Sequence, residues 1–195
     1  NVVDFMNTSR TEKHLNKNGS GSAKLSYLIN PTSFVELTGG YFFQNEDWYD
    51  PILEGDFYSY GDSVANAKAG VVWNRIANEP TGRYTPPRVL QIFTFAFNRP
   101  GDITAGYGKF RRSNIALTGA YIAQIGNEHS IKVGGEYSRY TMRNHSLGNE
   151  SARGLAGIIN QNSLLANTDP QKQTLENILI RRGVNNFGYD PLGNT

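Results

Sequence analysis

Apolar and polar residues alternate along two stretches of the chain, and each stretch folds back on itself. Between Asn114 and Ile125, the residues Ile115, Leu117, Gly119, Tyr121, Ala123 and Ile125 form one row. The intervening row is Asn114, Ala116, Thr118, Ala120, Ile122 and Gln124. Successive side chains of a strand point to opposite faces, so this is a strand with one apolar face. After Gly126-Asn127-Glu128 the pattern resumes, with Ile131, Val133, Gly135 and Tyr137 set against Ser130, Lys132, Gly134, Glu136 and Ser138. Paired strands must match apolar row to apolar row. That sets Ile125 opposite His129 and Ala123 opposite Ile131, with Gly126 in the loop free to take a positive φ.

The same pattern occurs earlier. Ala23, Leu25, Tyr27 and Ile29 alternate with Lys24 and Ser26, and Asn30-Pro31-Thr32-Ser33 makes a turn. Val35, Leu37, Gly39, Tyr41 and Phe43 then oppose Glu36, Thr38, Gly40 and Gln44. Matching rows places Ile29 opposite Val35 and Tyr27 opposite Leu37. The pattern thus predicts strands over 22–29, 34–44, 113–125 and 129–142, with long loops over 45–112 and 143–195. Val3 and Phe5 suggest the tail of a further strand. Inside the first loop, Val89 to Phe97 predicts a small hairpin. Inside the second, Asn149 to Ala166 has helical apolar spacing. A second helix is predicted over Gln171 to Arg182, opened by Asp169-Pro170 and stopped by Gly183.

The apolar face can look at a protein core or at lipid. Each arm is roughly eleven residues, about the length a tilted strand needs to cross a bilayer. Lys24, Glu36, Lys132 and Glu136 share one face, while Tyr27, Tyr41, Tyr121 and Tyr137 share the other, where interfacial aromatics of a barrel belong. Short turns on one side and long loops on the other are the pattern of outer-membrane barrels. A soluble antiparallel sandwich also has one apolar and one polar face, so that reading stays open.

Composition narrows the classes further. The 195 residues include 21 glycines, 11 tyrosines and 10 phenylalanines, which favours strands and turns. The absence of cysteine excludes a disulfide framework and thiolate chemistry. A formal charge of +2, with Lys and Arg scattered, does not describe a nucleic-acid surface. The chain starts at Asn1 and stops after an Asp190-Pro191 turn, which suggests an excised piece of a larger barrel domain.

Three stretches, AKLSYLINPTSFVELTGGYF, IAQIGNEHSIKVGGEYSRYTM and NNFGYDPLGN, resemble the barrel portion of TonB-dependent outer-membrane receptors of the kind found in Bacteroidota. In that family a strand ending in Asn-Pro-Thr makes a periplasmic turn, and a second turn follows Gln-Ile-Gly. The resemblance covers about half of the chain. The family's energy-coupling box, plug domain and terminal aromatic strand have no match, so the resemblance implies an interior slice of the barrel. It further implies an antiparallel transmembrane β-barrel segment in the outer membrane of a Gram-negative bacterium, with two spanning hairpins and extracellular loops, the last partly helical. Such a receptor imports a scarce substrate of the siderophore, glycan or peptide class. Its partners would be outer-membrane lipid, a TonB-type energy complex acting through a plug, and a surface lipoprotein. A plug-less porin or assembly barrel, and a soluble secreted glycan-binding β-domain, remain alternatives.

Candidate chemistry follows from these placements. Lys24, Glu36, Thr118, Lys132 and Glu136 would face the lumen. Trp48, Tyr49, Tyr58, Tyr60 and Trp73 are the aromatic loop residues expected to contact ligand. Asp47, Asp50, Glu54, Asp56 and Asp62 cluster among them, but without calcium-loop spacing. His14, His129 and His145 lack metal-ligand spacing, no glycine stretch has phosphate-loop form, and no nucleophile or acid–base set emerges. Neither catalysis nor a cofactor is expected.

Overall fold

A computed structural model describes residues 7–87, 89–165, 169 and 174–195. Val3, Phe5 and Pro170, on which two of the expectations rest, lie outside the described residues. Among the described residues, seven strands and three α-helices follow in order: β1 (Lys13–Asn30), β2 (Ser33–Tyr49), α1 (Ser63–Lys68), β3 (Leu90–Ile92), β4 (Phe95–Phe97), β5 (Tyr107–Ile125), β6 (His129–Leu147), α2 (Asn149–Leu165), α3 (Leu175–Arg181) and β7 (Asn185–Phe187). The chain is mostly antiparallel β-sheet. One open sheet has the order β1-β2-β5-β6-β7, and β3 and β4 pair separately. No described helix is long and apolar enough to cross a membrane, a statement that leaves strands untouched.

Contacts between strands fix the register. A Cβ added at Gly19 would lie 2.7 Å from the Phe43 ring, and one at Gly40 would lie 4.0 Å from Ser22 Cβ. These contacts seat Ser22 beside Gly40, two residues tighter than the pairing of Tyr27 with Leu37 would require. The turn is also shorter than the apolar rows suggested, since β1 runs through Asn30 and β2 resumes at Ser33. A shift of two keeps every side chain on its face. Gln124 N–H donates to Thr32 O, which aligns β2 with β5. A Cβ at Gly134 would lie 3.2 Å from Ala120 Cβ, aligning β5 with β6 in the register that sets Ile125 opposite His129.

The strands are longer than the alternation predicted. β1 begins at Lys13 rather than near 22, and β6 runs on to Leu147. The stretch Asn18-Gly19-Ser20-Gly21 reads as a loop by composition, yet it pairs. Gly19 lets the Phe43 ring approach the backbone, a close contact that a side chain would block.

The chain divides into two compact units. One is the wall, residues 16–45 and 110–143; the other comprises Asn1–Leu15, Glu46–Lys109 and Asn144–Thr195. The second unit has a core of Phe57, Tyr60, Ile103, Leu147, Ala152, Leu155, Ile178 and Leu179. α2 buries Ala152, Leu155 and Ala156, which share one face at three- and four-residue spacing. In α3 the cap is Thr174, whose hydroxyl accepts from Asn177 N–H at 3.3 Å, so the described helix opens later than Asp169-Pro170 suggested. Gly183, at φ 74°, follows its end.

Candidate functional site

Within the wall, the register lines up Lys24, Thr38, Thr118 and Glu136 in one row across four strands. Lys24 Nζ lies 2.6 Å from Glu36 Oε1, diagonally across β1 and β2. Lys132 falls two rows nearer the tight turns, beside Ile122. The five residues expected to line a lumen thus share a face, and Lys24 and Glu36 form an ion pair.

The opposite face is apolar and bare. Leu25, Tyr27 and Val133 are 63%, 67% and 63% exposed, and Leu37, Leu117, Tyr121, Ile131 and Tyr137 are exposed with them. This apolar face gives way to polar residues within a few rows on the four long strands, furthest out on β2 and soonest on β6. Beyond Gly21 comes Lys17, beyond Tyr41 and Phe43 comes Asn45, before Ile115 comes Arg111, and beyond Tyr137 come Arg139 and Arg143. From Ile115 to Ile125 the band spans about 33 Å along the strand.

The loop unit is held by a buried polar knot. Arg10 Nε donates to Asp50 Oδ2 at 2.6 Å and Arg10 Nη1 donates to Asn66 Oδ1 at 2.7 Å. Asn66 Nδ2 in turn donates to the carbonyls of Tyr60 and Asp62. Asn7 Nδ2 donates to Asp102 O, and Asn7 Oδ1 accepts from Gly101 N–H. Arg153 Nη2 donates to Asp102 Oδ2 at 2.7 Å. Burial pushes the Asp102 carboxyl up to about 6, and the attraction of Arg153 only partly opposes this. The Arg83 guanidinium beside Asp62 holds that carboxyl below its usual range.

The aromatic candidates separate here. Tyr60 is fully buried; its hydroxyl accepts from Asp50 N–H at 2.9 Å and donates to Glu54 O at 2.6 Å. It braces the loop and cannot touch a ligand, which corrects the expectation for it. Burial also raises its pKa. Tyr58 packs on Phe57, which stacks on Tyr107 with ring centres 4.3 Å apart. Trp48 covers Gly108 on the face shared with Ser146, and the Lys13 ammonium lies 5.7 Å from the Tyr49 ring centre. Trp73 is largely buried, with the Arg75 guanidinium 5.4 Å from its ring centre. It borders a hollow of about 730 Å³ with Lys68, Val72, Arg75 and Arg83 on its walls. Trp48 borders a second hollow, of about 350 Å³, with Glu12, Thr104 and Ser146.

No protein-family model matches the chain, and no curated protein matches it either. The chemistry must be read from the residues alone.

The clustered acids do not converge. Asp50 accepts from the N–H groups of Ile52 and Leu53 as well as from Arg10, while Asp62 caps α1 and pairs with Arg83. Among the described residues no group of three or more His, Asp or Glu side chains could hold a metal ion. His14 sits beside Glu12 at 2.9 Å, and His145 Nε2 lies 2.9 Å from Pro191 O. Sequence reasoning missed Arg10, Asn66, Asp102 and Arg153; the long-range side-chain hydrogen bonds of Arg10 and Arg153 reach partners 40 to 91 positions away. It also missed the basic row at the edge of the apolar band. The signal for that row was present, since Lys17, Arg111 and Arg143 continue the odd-numbered alternation past the predicted strand ends.

Proposed function

We propose that this chain is an interior part of the barrel wall of a TonB-dependent outer-membrane receptor, together with surface loops that meet the substrate. The carrying observation is the apolar band of the wall, exposed on one face along all four long strands. Water is a poor neighbour for such a face, since each Leu, Ile or Tyr left bare forgoes roughly 1.5–3 kcal/mol of burial. The hydrocarbon of a bilayer covers it without any further protein. The opposite face, carrying Lys24, Glu36, Thr118, Lys132 and Glu136, then borders the aqueous lumen. The loop unit has a packed core of its own, which suits a surface loop that must present a hollow in one shape. The resemblance of the two turns to those of TonB-dependent receptors supports importing transport over passive diffusion. The substrate is scarce and of siderophore, glycan or peptide class, and the Trp73 hollow is where it first rests.

The test is uptake by cells producing the full receptor. Accumulation of substrate should cease when the inner-membrane energy complex is deleted. Accumulation that persists unchanged without that complex favours a passive porin and overturns the receptor reading.

A further inference from the structure

Trp48 and Glu12 border a hollow of the loop unit at the start of β5. Two glycines make room for it. A Cβ added at Gly108 would collide with the Trp48 ring and lie 2.9 Å from Ser146 Cβ. One added at Gly106 would lie 2.9 Å from Leu147 O and 3.4 Å from Glu12 Oε2. Glycine at both positions lets the indole and the carboxylate close on the backbone. About 350 Å³ is left there, bordered also by Thr104, Ser146 and Asn149. Its polar groups are largely unspent. Trp48 Nε1 and Ser146 Oγ have no hydrogen-bond partner among the described residues, and neither is sealed off from solvent. Asn149 Oδ1 accepts from Glu150 N–H, which leaves the amide N–H groups of Asn149 over. Glu12 Oε2 accepts from Gly106 N–H at 2.8 Å and Oε1 lies 2.9 Å from His14 Nε2, so each oxygen keeps a lone pair. Thr104 donates its hydroxyl to Arg10 O and can still accept. No Lys or Arg is among the described residues that border the hollow.

We propose that this hollow binds one neutral pyranose ring of a glycan, with the Trp48 indole against its C–H face. Glu12 and Thr104 accept from the ring hydroxyls, while Ser146 and Asn149 donate to them. The inference narrows the substrate class proposed above and adds a second resting place to the Trp73 hollow. It rests on the reading that the loops meet the substrate. Chemistry selects the sugar over the other classes. A pyranose has an apolar C–H face and a rim of hydroxyls that both donate and accept. That matches an indole edged by mixed donors and acceptors. An anionic chelate would meet the Glu12 carboxylate, with no Lys or Arg on the walls to answer its charge. An extended peptide adds to a free strand edge, whereas β5 is paired on both sides, with β2 and β6. The volume lies at the low end of ligand pockets, which run to about 300–1,000 Å³, so the hollow takes a single ring rather than a long oligosaccharide.

The experiment uses the full receptor in a detergent without a sugar headgroup, mixed in turn with maltose, cellobiose, mannobiose and xylobiose. Saturation-transfer NMR reads binding through the sugar ring protons. At least one of the four should take up saturation from the wild type. Its affinity should fall about tenfold or more in Trp48→Ala, which removes the surface for the C–H face. It should fall severalfold in Glu12→Gln, which keeps an oxygen for Gly106 N–H but loses the charged acceptor. Ser146→Ala removes a donor and leaves the Trp48 packing in place, and it should lower affinity too. Trp48→Phe should keep part of the affinity, which excludes misfolding as the cause of loss. Equal affinity in wild type and Trp48→Ala overturns the proposal, and so does binding of none of the four sugars. Digalacturonate bound as tightly as the neutral sugars also overturns it, because the Glu12 carboxylate would then not discriminate. Failure of the receptor reading shows separately. Trp48-dependent binding together with uptake that needs no inner-membrane energy complex supports the sugar site and overturns the receptor reading alone.

Discussion

Tyr60 shows at the scale of one residue why an aromatic in a loop is not automatically a ligand contact. Its ring is part of the core, and its hydroxyl joins Asp50 N–H to Glu54 O. Tyr60→Phe leaves both groups buried without that partner and should cost roughly 1–3 kcal/mol of loop-unit stability, read by chemical denaturation. Asp102 makes a pH prediction. Its folded pKa, about 6, lies above the ordinary carboxylate value, so the folded form binds the proton more tightly than the unfolded chain does. The stability it contributes is fully present below about pH 4 and is lost as pH rises through about 6, roughly 2–3 kcal/mol in all. The Asp102→Asn variant should lack this slope when unfolding is followed between pH 4 and pH 7. In sequence, Asn98-Arg99-Pro100-Gly101-Asp102 has only the composition of a turn. What makes Asp102 unusual is Arg153, 51 positions later, which no local pattern announces.

Elements differ in how far the sequence reveals them. The core of each hairpin was legible because one face is apolar over four to six alternating positions, and a one-residue slip would move all of them to the other face. The strand ends were not, since Lys13 to Gly21 is polar on both faces and carries no hydrophobic row. There the pairing depends on backbone bonds and on contacts such as Gly19 against Phe43, which are set by the partner strand. The same blindness hid the basic row, because Lys17, Arg111 and Arg143 lay beyond the ends assigned to strands. Among the helices, α2 followed from its spacing, whereas the cap of α3 moved to Thr174. Leu155→Ala should cost about 2–5 kcal/mol, as for a large-to-small change at a fully buried position. Hydrogen exchange should then speed up in α2 and α3. The wall residues 16–45 and 110–143, a separate compact unit, should keep their protection.

For the whole molecule, the account turns on what faces the apolar band. The sheet is open, with the order β1-β2-β5-β6-β7, and the wall carries apolar side chains on one face and the Lys24–Glu36 ion pair on the other. Those two faces belong to two solvents if the wall is part of a barrel, and to a hidden core and water if it is part of a soluble sandwich. These 195 residues contain no cysteine, so each cysteine introduced here is the one cysteine of this segment, and the unsubstituted receptor gives the labelling background. The most direct measurement is a cysteine scan of β5 from Ser113 to Ile122 in the full receptor in its own outer membrane, with labelling by a charged, water-soluble maleimide. The account predicts labelling at Asn114, Ala116, Thr118, Ala120 and Ile122, and protection at Ile115, Leu117, Gly119 and Tyr121. Spin labels at the protected positions should show contact with lipid-soluble oxygen. Labelling of Leu117 and Tyr121 by the charged reagent as readily as Thr118, with no alternation along the strand, would contradict the account.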